Sequence, residues 1–137
     1  MRILIVEDDA DSGEELMHLL IDIGHEARLV MMPTLAAAAA IEFRPEVAIL
    51  DIGLPVMSGH ELIRVLRALP ELTGCRYFAV TAVVGLEVMT RSIDAGFERH
   101  LTKPLPVAQL LRFLERPAES SHGAPLDRNE ASEFDRL

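Results

Sequence analysis

Cysteine is nearly absent from the sequence, which contains one, Cys75, among 137 residues. A single thiol cannot form an internal disulfide. Without a second cysteine or a paired histidine motif, such a thiol is more often a small buried apolar side chain than a nucleophile. This pattern argues against a disulfide-stabilised protein and fits a reducing cytoplasm.

Long hydrophobic runs are also absent. No apolar stretch approaches the roughly 18 to 20 residues that cross a bilayer. The sequence begins Met1-Arg2, and its first apolar run is closed by Glu7, Asp8 and Asp9. This run is too brief for a signal peptide, and the residues after it are too acidic. We therefore expect a cytoplasmic protein without a membrane partner.

Positive charge is scarce, because 13 basic residues stand against 22 acidic ones and give a formal net charge of −9. Nucleic-acid binding needs a positive surface along the phosphates, and no local cluster of basic residues supplies one. A glycine-rich phosphate loop is missing too. The first apolar run leads into the acidic segment 7–11, whose carboxylates would repel a pyrophosphate. These absences disfavour direct nucleic-acid binding and a nucleotide-binding α/β protein.

Five apolar segments alternate with segments of helical periodicity. The predicted strands cover 3–6, 27–30, 47–50, 77–81 and 99–101, and the predicted helices cover 33–40, 59–69, 87–95 and 107–114. The first helix is expected to begin at Asp11 or Ser12 and to stop at Gly24. Such alternation, with right-handed crossovers, predicts an α/β fold: a five-stranded, doubly wound parallel sheet with helices on both faces.

The chain changes character at Pro117, where it turns polar and loses its periodicity. The length and the 50% hydrophobic content suit one domain with a real core. We therefore expect a domain over residues 1–116 and a flexible tail over 117–137, with a nascent helix near 129–137.

Polar side chains lie just after the predicted strands, at the carboxyl ends where ligands collect in such sheets. They are Glu7, Asp8, Asp9, Asp51, Thr81 and Lys103. Carboxylates from neighbouring strands repel one another unless a cation lies between them, and Mg²⁺ prefers oxygen ligands of this kind. Asp9 and Asp11 are expected to serve as helix caps only. The remaining carboxylates predict a magnesium site.

Asp51 is the candidate nucleophile of this site. An acid directly after a strand, with Gly53 and Pro55 close behind it, is a poor choice for packing alone. With the metal present, its carboxylate can take a phosphoryl group as an acyl phosphate. Such a transfer depends on charge compensation, which Mg²⁺, the Lys103 ammonium and the Thr81 hydroxyl would supply. Taken singly, Thr81 and Lys103 are ordinary residues for a strand end and a surface.

The histidines show no metal-ligand spacing and no arrangement with a serine or cysteine that would indicate nucleophilic catalysis. They are His18, His25, His60, His100 and His122. We expect them to be surface residues or residues with satisfied hydrogen bonds.

Four segments, in this order at these strand ends, resemble the response-regulator receiver domain. They are 6–9 (VEDD), 51–59 (DIGLPVMSG), 81–82 (TA) and 103–104 (KP), and the likeness covers residues 1–116. The resemblance implies a flavodoxin-like sheet of the receiver type, with Asp51 as the phosphorylated aspartate. It also implies that Asp8, Asp51 and the Gly53 carbonyl bind Mg²⁺, and that Glu7 helps through water.

The resemblance extends to the switch residues and includes one departure. Thr81 and Lys103 match the family's switch hydroxyl and lysine, and Pro104 matches its cis-peptide proline. The family's aromatic switch position, three residues before the lysine, is His100 here, which predicts altered coupling to Thr81. Residues 95–101 are similar to receivers of hybrid sensor kinases, although this chain is expected to be a stand-alone receiver.

The expected function is signalling rather than enzymatic turnover. A sensor histidine kinase or histidine phosphotransfer protein would phosphorylate Asp51, and the 87–102 face would change conformation and bind a downstream protein or a second copy. The alternative is a pseudo-receiver, an interaction module that works without phosphorylation. An aspartyl-phosphate phosphohydrolase is a further class, but it needs an acid two residues after the nucleophile, where this chain has Gly53.

Overall fold

Strands and helices alternate along residues 1–116, the part of the chain that this computed structural model describes. The strands are β1 (Arg2–Val6), β2 (Glu26–Val30), β3 (Val47–Asp51), β4 (Arg76–Thr81) and β5 (Arg99–Thr102). The helices are α1 (Ala10–Asp22), α2 (Ala36–Phe43), α3 (Gly59–Arg67), α4 (Leu86–Ala95) and α5 (Val107–Glu115). The expected tail over 117–137 and its helix near 129–137 lie outside the described residues.

The five strands form one parallel sheet in the order β2-β1-β3-β4-β5. This confirms the predicted doubly wound fold. The central strand β3 is buried along its whole length, as expected for a parallel strand covered on both faces. Within the described residues, no helix is both long and apolar enough to cross a membrane.

Two hydrophobic clusters cover the two faces of the sheet, because successive side chains of a strand point to opposite sides. Leu4, Ala48 and Leu50 pack with residues of α2, α3 and α4 on one face. Ile3, Ile49 and Phe78 pack with residues of α1 and α5 on the other. The alanine run of α2 belongs to the first cluster, where Ala36 and Ala40 are fully buried. Burial thus explains the small side chains of that helix.

The beginning of α1 differs from the prediction. Asp9, one of the expected helix caps, occupies the N-cap position, although its side chain makes no capping hydrogen bond. Asp11 and Ser12 lie inside the helix, so the expectation that it begins there is wrong. The Ser12 hydroxyl donates to the Asp9 carboxylate instead of capping the helix itself. The predicted end is confirmed, since the helix stops at Asp22 and Gly24 comes shortly after it with a φ of 104°.

Gly59 fixes the start of α3 against the end of β3. A Cβ at this position would lie 2.5 Å from the Asp51 carbonyl oxygen and 2.8 Å from the Ile52 Cα. Only glycine permits such an approach of two backbones. Ser58 caps the helix by accepting a hydrogen bond from the Glu61 amide at 3.2 Å. The loop after Asp51 is therefore held at both ends.

Arg76 connects the beginning of β4 to the end of α5. Its Nη2 donates to the Glu98 carboxylate at 2.7 Å and to the Phe113 carbonyl at 2.8 Å, and its Nη1 donates to the Leu114 carbonyl at 3.1 Å. The two charged side chains are only 12% and 15% exposed. The last carbonyls of a helix have no partner within the helix, so one arginine satisfies two of them.

Cys75 precedes this arginine and packs against the first cluster. Burial raises the pKa of its thiol to about 12. A thiol protonated at neutral pH is a poor nucleophile, which confirms its interpretation as a small apolar side chain.

Candidate functional site

Three carboxylates meet at the carboxyl end of the sheet. Glu7, Asp8 and Asp51 each place an oxygen within 4.8 Å of the oxygens of the others. The first two come directly after β1 and the third ends β3, and these strands are neighbours in the sheet. Glu7 and Asp51 are buried, whereas Asp8 is exposed. The fold thus concentrates negative charge at a place that solvent reaches from one side.

Lys103 supplies the positive charge of the site. Its Nζ donates to Glu7 Oε1 at 2.6 Å and to Asp51 Oδ2 at 2.8 Å. Its backbone amide donates to the Thr81 carbonyl at 2.8 Å, and the peptide bond to Pro104 is cis. Burial lowers the pKa of Lys103, but the two carboxylates raise it by more, so the ammonium is charged at neutral pH.

The two buried carboxyl groups have opposite pKa shifts. Burial and the neighbouring Asp51 raise the pKa of Glu7 to about 7, despite the opposing effect of Lys103. Burial alone would also raise the pKa of Asp51. Its hydrogen bonds with Glu7, Lys103 and the Gly53 amide outweigh that effect and leave its pKa below the ordinary value. Asp51 is therefore ionised at neutral pH, as a carboxylate nucleophile must be.

The donor set fits a hard divalent cation. All three candidate ligands are carboxylates, and the cluster is crowded enough for Glu7 to hold a proton near neutral pH. Oxygen-only sites with few carboxylates suit Mg²⁺, which keeps several waters. The acidic cluster thus has the chemistry of a magnesium site.

Gly53 and Thr81, two further predicted residues, lie just after β3 and at the end of β4. The Gly53 amide donates to Asp51 Oδ1 at 2.9 Å, so the loop orients the carboxylate. Thr81 is buried at the end of β4, and its hydroxyl accepts from the Val83 amide at 3.0 Å. His100 is buried on β5, outside the cluster, beside a cavity of about 110 Å³ that Thr102 also lines. The structure therefore groups Glu7, Asp8, Asp51 and Lys103, and it places His100 elsewhere.

A larger cavity of about 360 Å³ extends from the site between α1 and the segment after β5. Glu7, Asp51 and Lys103 line its polar end, and its other walls are mostly apolar side chains such as Leu16 and Leu105. The Asp51 carboxylate thus lies at the polar end of a cavity whose other walls are mostly apolar.

Two features of this region were not predicted from the sequence. His60 has a satisfied hydrogen bond, as expected of the histidines, but the sequence does not identify its buried partner Ser92, which lies 32 residues away. Val56, in the loop after Asp51, has a φ of 70° and is 82% exposed. Neither periodicity nor motif spacing signals such features. The Pro55-Val56 sequence indicates a turn but not its left-handed backbone.

We expect Val56→Asn to raise the free energy of unfolding by about 1 kcal/mol, because a β-branched residue is strained in the left-handed region and asparagine is not. Urea denaturation would measure the difference. Val84→Asn is the matched control, since Val84 is 61% exposed and is not among the positive-φ residues. An equal change in both variants would contradict the strain at Val56.

Comparisons with known proteins agree on one family. The response regulator receiver domain matches residues 3–115. The chain is 32% identical over 118 residues to an uncharacterised 14.6 kDa protein of Leptolyngbya boryana, covering 85% of this chain and 88% of that protein. It is 31% identical over 134 residues to the DNA-binding response regulator MtrA of Mycobacterium leprae, covering 92% of this chain and 58% of MtrA. The chain thus spans about half the length of the mycobacterial regulators it matches.

Solved structures give the same result. The chemotaxis protein CheY4 of Vibrio cholerae matches with a TM-score of 0.78 and 27% identity, covering 84% of this chain and 96% of CheY4. The receiver domain of a sensor histidine kinase from Pseudomonas aeruginosa PAO1, which has a magnesium ion coordinated in its active-site cleft, matches with a TM-score of 0.75 and 29% identity. That match covers 84% of this chain and 94% of the domain.

Proposed function

This chain belongs to the response regulator receiver domain family, and we propose that Asp51 is the residue on which it accepts a phosphoryl group. The observation that carries the proposal is the contact of Lys103 with both Asp51 and Glu7 inside the acidic cluster. An ionised carboxylate beside a fixed ammonium is arranged for transfer of a negatively charged group. The receiver would comprise residues 1–116.

We propose that Glu7, Asp8 and Asp51 would hold Mg²⁺, with the Gly53 carbonyl as a further ligand. The basis is the chemistry of the carboxylate cluster, and the Pseudomonas receiver domain with magnesium in its cleft gives support by analogy. A bound Mg²⁺ neutralises charge on the cluster and on the transferred phosphoryl group.

The chain's own residues would carry out the remaining steps. An Asp51 oxygen forms a bond to phosphorus while the bond from phosphorus to the donor's imidazole nitrogen breaks, and that nitrogen keeps the electron pair. Lys103 turns its ammonium from the carboxylate toward a phosphoryl oxygen, and the Gly53 amide keeps the carboxylate oriented. Positioning and charge compensation provide most of the rate in such transfers.

The response is proposed to be a shift between two conformations rather than turnover of a substrate. The phosphoryl group would draw the Thr81 hydroxyl away from the Val83 amide, which now donates to it. That movement would displace the loop before α4 and change the 87–102 face, which a downstream protein or a second copy of the chain would bind. His100 replaces an aromatic switch residue, so its movement would differ from the family pattern.

The proposed phosphodonor is a sensor histidine kinase or a histidine phosphotransfer protein. One similar structure is the receiver domain of a sensor histidine kinase, and another is a chemotaxis protein. Such a donor, together with the single thiol, favours a cytoplasmic location. The complete set of acidic residues and lysine gives no support to a pseudo-receiver. A phosphohydrolase would need an acid two residues after the nucleophile, and this chain has Gly53 at that position.

Incubation with acetyl phosphate and Mg²⁺ tests the proposal. We expect intact-mass spectrometry to show one added phosphoryl group, and no added group when a chelator is present from the start of the incubation. Asp51→Asn should remain unlabelled, whereas Asp94→Asn, an exposed acid on α4, should behave as the wild type. Labelling of Asp51→Asn would overturn the assignment of Asp51. No labelling of the wild type would favour the pseudo-receiver.

A further inference from the structure

A buried polar contact joins α3 to α4. His60 is 4% exposed and Ser92 is fully buried, and the His60 Nε2 lies 2.9 Å from the Ser92 hydroxyl oxygen. The ring also meets Phe97 edge to face, with centroids 6.2 Å apart. Leu62, Ile63 and Ala95, on the same two helices, belong to one hydrophobic cluster.

This contact specifies one arrangement of the two helices. Apolar contacts are not directional, whereas separating a buried imidazole from a buried hydroxyl leaves both groups without a hydrogen-bond partner and destabilises the folded state. At the far end of α3, Arg67 Nη1 donates to the Ala95 carbonyl at 3.1 Å. His60 and Ser92 provide the corresponding restraint near the beginning of α3, close to the functional site.

The contact lies between the two segments that the site would move. Helix α3 begins at Gly59, against the backbone of Asp51. Helix α4 comes after Thr81, through the loop that contains Val83. His60 and Ser92 therefore connect the helix after the acceptor strand to the helix after the switch strand.

Burial, together with nearby positive charge, keeps the His60 ring neutral. Burial lowers its pKa most, and Arg91 on α4 and Arg64 on its own helix lower it further. His100 on β5 is the other titratable group that interacts with it, and its pKa is also lowered, first by burial and then by His60. The contact is thus formed by a neutral ring at pH 7, in a pocket that disfavours additional positive charge.

We infer that the His60–Ser92 hydrogen bond is a latch that holds α4 against α3 and must open when α4 moves. The consequence for signalling rests on the proposed function: the latch sets how readily phosphorylation of Asp51 displaces α4. His60 and Ser92 are positioning residues in this scheme, since neither touches the phosphoryl site.

Native-state hydrogen exchange of the full chain tests the latch without any phosphorylation. In Ser92→Ala we expect the protection of the α4 amides to fall by about tenfold, while α1 and α5 stay unchanged. His60→Gln places a side-chain amide, which can donate or accept a hydrogen bond, near the same place and should retain most of the protection. The double variant His60→Leu/Ser92→Ala removes both polar groups and should recover protection by apolar packing.

Thr90→Ala is the matched control, because Thr90 is an exposed hydroxyl residue on the same helix. It should leave α4 protection unchanged. Equal loss of protection in Ser92→Ala across all helices would overturn the latch, because it would show global destabilisation only. Unchanged α4 protection in Ser92→Ala would overturn it as well.

The same variants are then labelled with acetyl phosphate and Mg²⁺. Ser92→Ala should be phosphorylated several-fold faster than the wild type, with His60→Gln close to the wild type, because a freed α4 favours the phosphorylated conformation. If Ser92→Ala were labelled at the wild-type rate, the His60–Ser92 bond would have only a structural role, and the inferred latch would be wrong. If no variant is labelled, the proposed function fails, and the exchange experiment alone decides whether the latch exists.

Discussion

Replacement of Arg76 by methionine is expected to lower the free energy of unfolding by about 3 to 5 kcal/mol, the range found when one partner of a buried ion pair is removed. The change leaves the Glu98 carboxylate, 15% exposed, without its charge partner. It also leaves the Phe113 and Leu114 carbonyls without the donor that now satisfies them. Urea denaturation followed by circular dichroism would measure the loss.

Two further variants make this prediction specific. Arg28→Met removes a pair with Glu42 that is 3.9 Å long and more than half exposed, so it should cost about 1 kcal/mol or less. In Arg76→Met/Glu98→Leu the unpaired charge is gone, and part of the lost stability should return. If Arg28→Met and Arg76→Met lowered the free energy of unfolding by similar amounts, the burial of the Arg76 pair would not increase its contribution to stability.

Lys103→Met is expected to slow phosphorylation of Asp51 by acetyl phosphate by about 10² to 10³-fold, the usual effect of removing one preorganised donor to a developing charge. The ammonium now contacts both Asp51 and Glu7 and is the cation available to a phosphoryl oxygen in the proposed transfer. Intact-mass time courses at saturating Mg²⁺ would give the rates.

Magnesium titration separates this effect from loss of the metal site. Lys103→Met retains Glu7, Asp8 and Asp51, so it should still bind Mg²⁺, whereas Asp8→Asn should bind it more weakly. Lys103→Arg preserves the charge but not the compact ammonium, and an intermediate rate is expected. A Lys103→Met rate within about threefold of the wild type would show that the contact has only a structural role.

The fold was predictable because its signals are local. Apolar strands alternating with helical periodicity indicate the doubly wound sheet, and parallel strands bring their carboxyl ends to one edge, where Glu7, Asp8, Asp51 and Lys103 meet. For most strands and helices the predicted ends differ from the observed ones by one or two residues, as for α3, which ends at Arg67 rather than 69. Helix α2 is the exception: it was predicted over 33–40 but covers Ala36–Phe43, because 33–35 form a 3-10 turn.

The features that escaped prediction depend on three-dimensional proximity. His60 and Ser92 are 32 residues apart, and Arg76 reaches the Phe113 carbonyl 37 residues later. Their sequence neighbourhoods resemble ordinary helix and strand surfaces. The start of α1 was misplaced for a different reason, since Asp9, Asp11 and Ser12 are all acceptable caps and only tertiary packing selects among them. Local helix and strand propensities predict neither contacts between distant residues nor the choice of cap that tertiary packing makes.

The contact of Lys103 with two carboxylates also affects chemical labelling of this protein. Lys103 is the only lysine in the sequence. Amine-reactive dyes, biotin esters and coupling resins therefore have two targets, the amino terminus and the ammonium of the functional site. Attachment through the lysine would remove the charge that neutralises Asp51, and fluorescence or surface-binding assays prepared in this way would report on a molecule without that ion pair. Engineered tags placed elsewhere avoid that outcome.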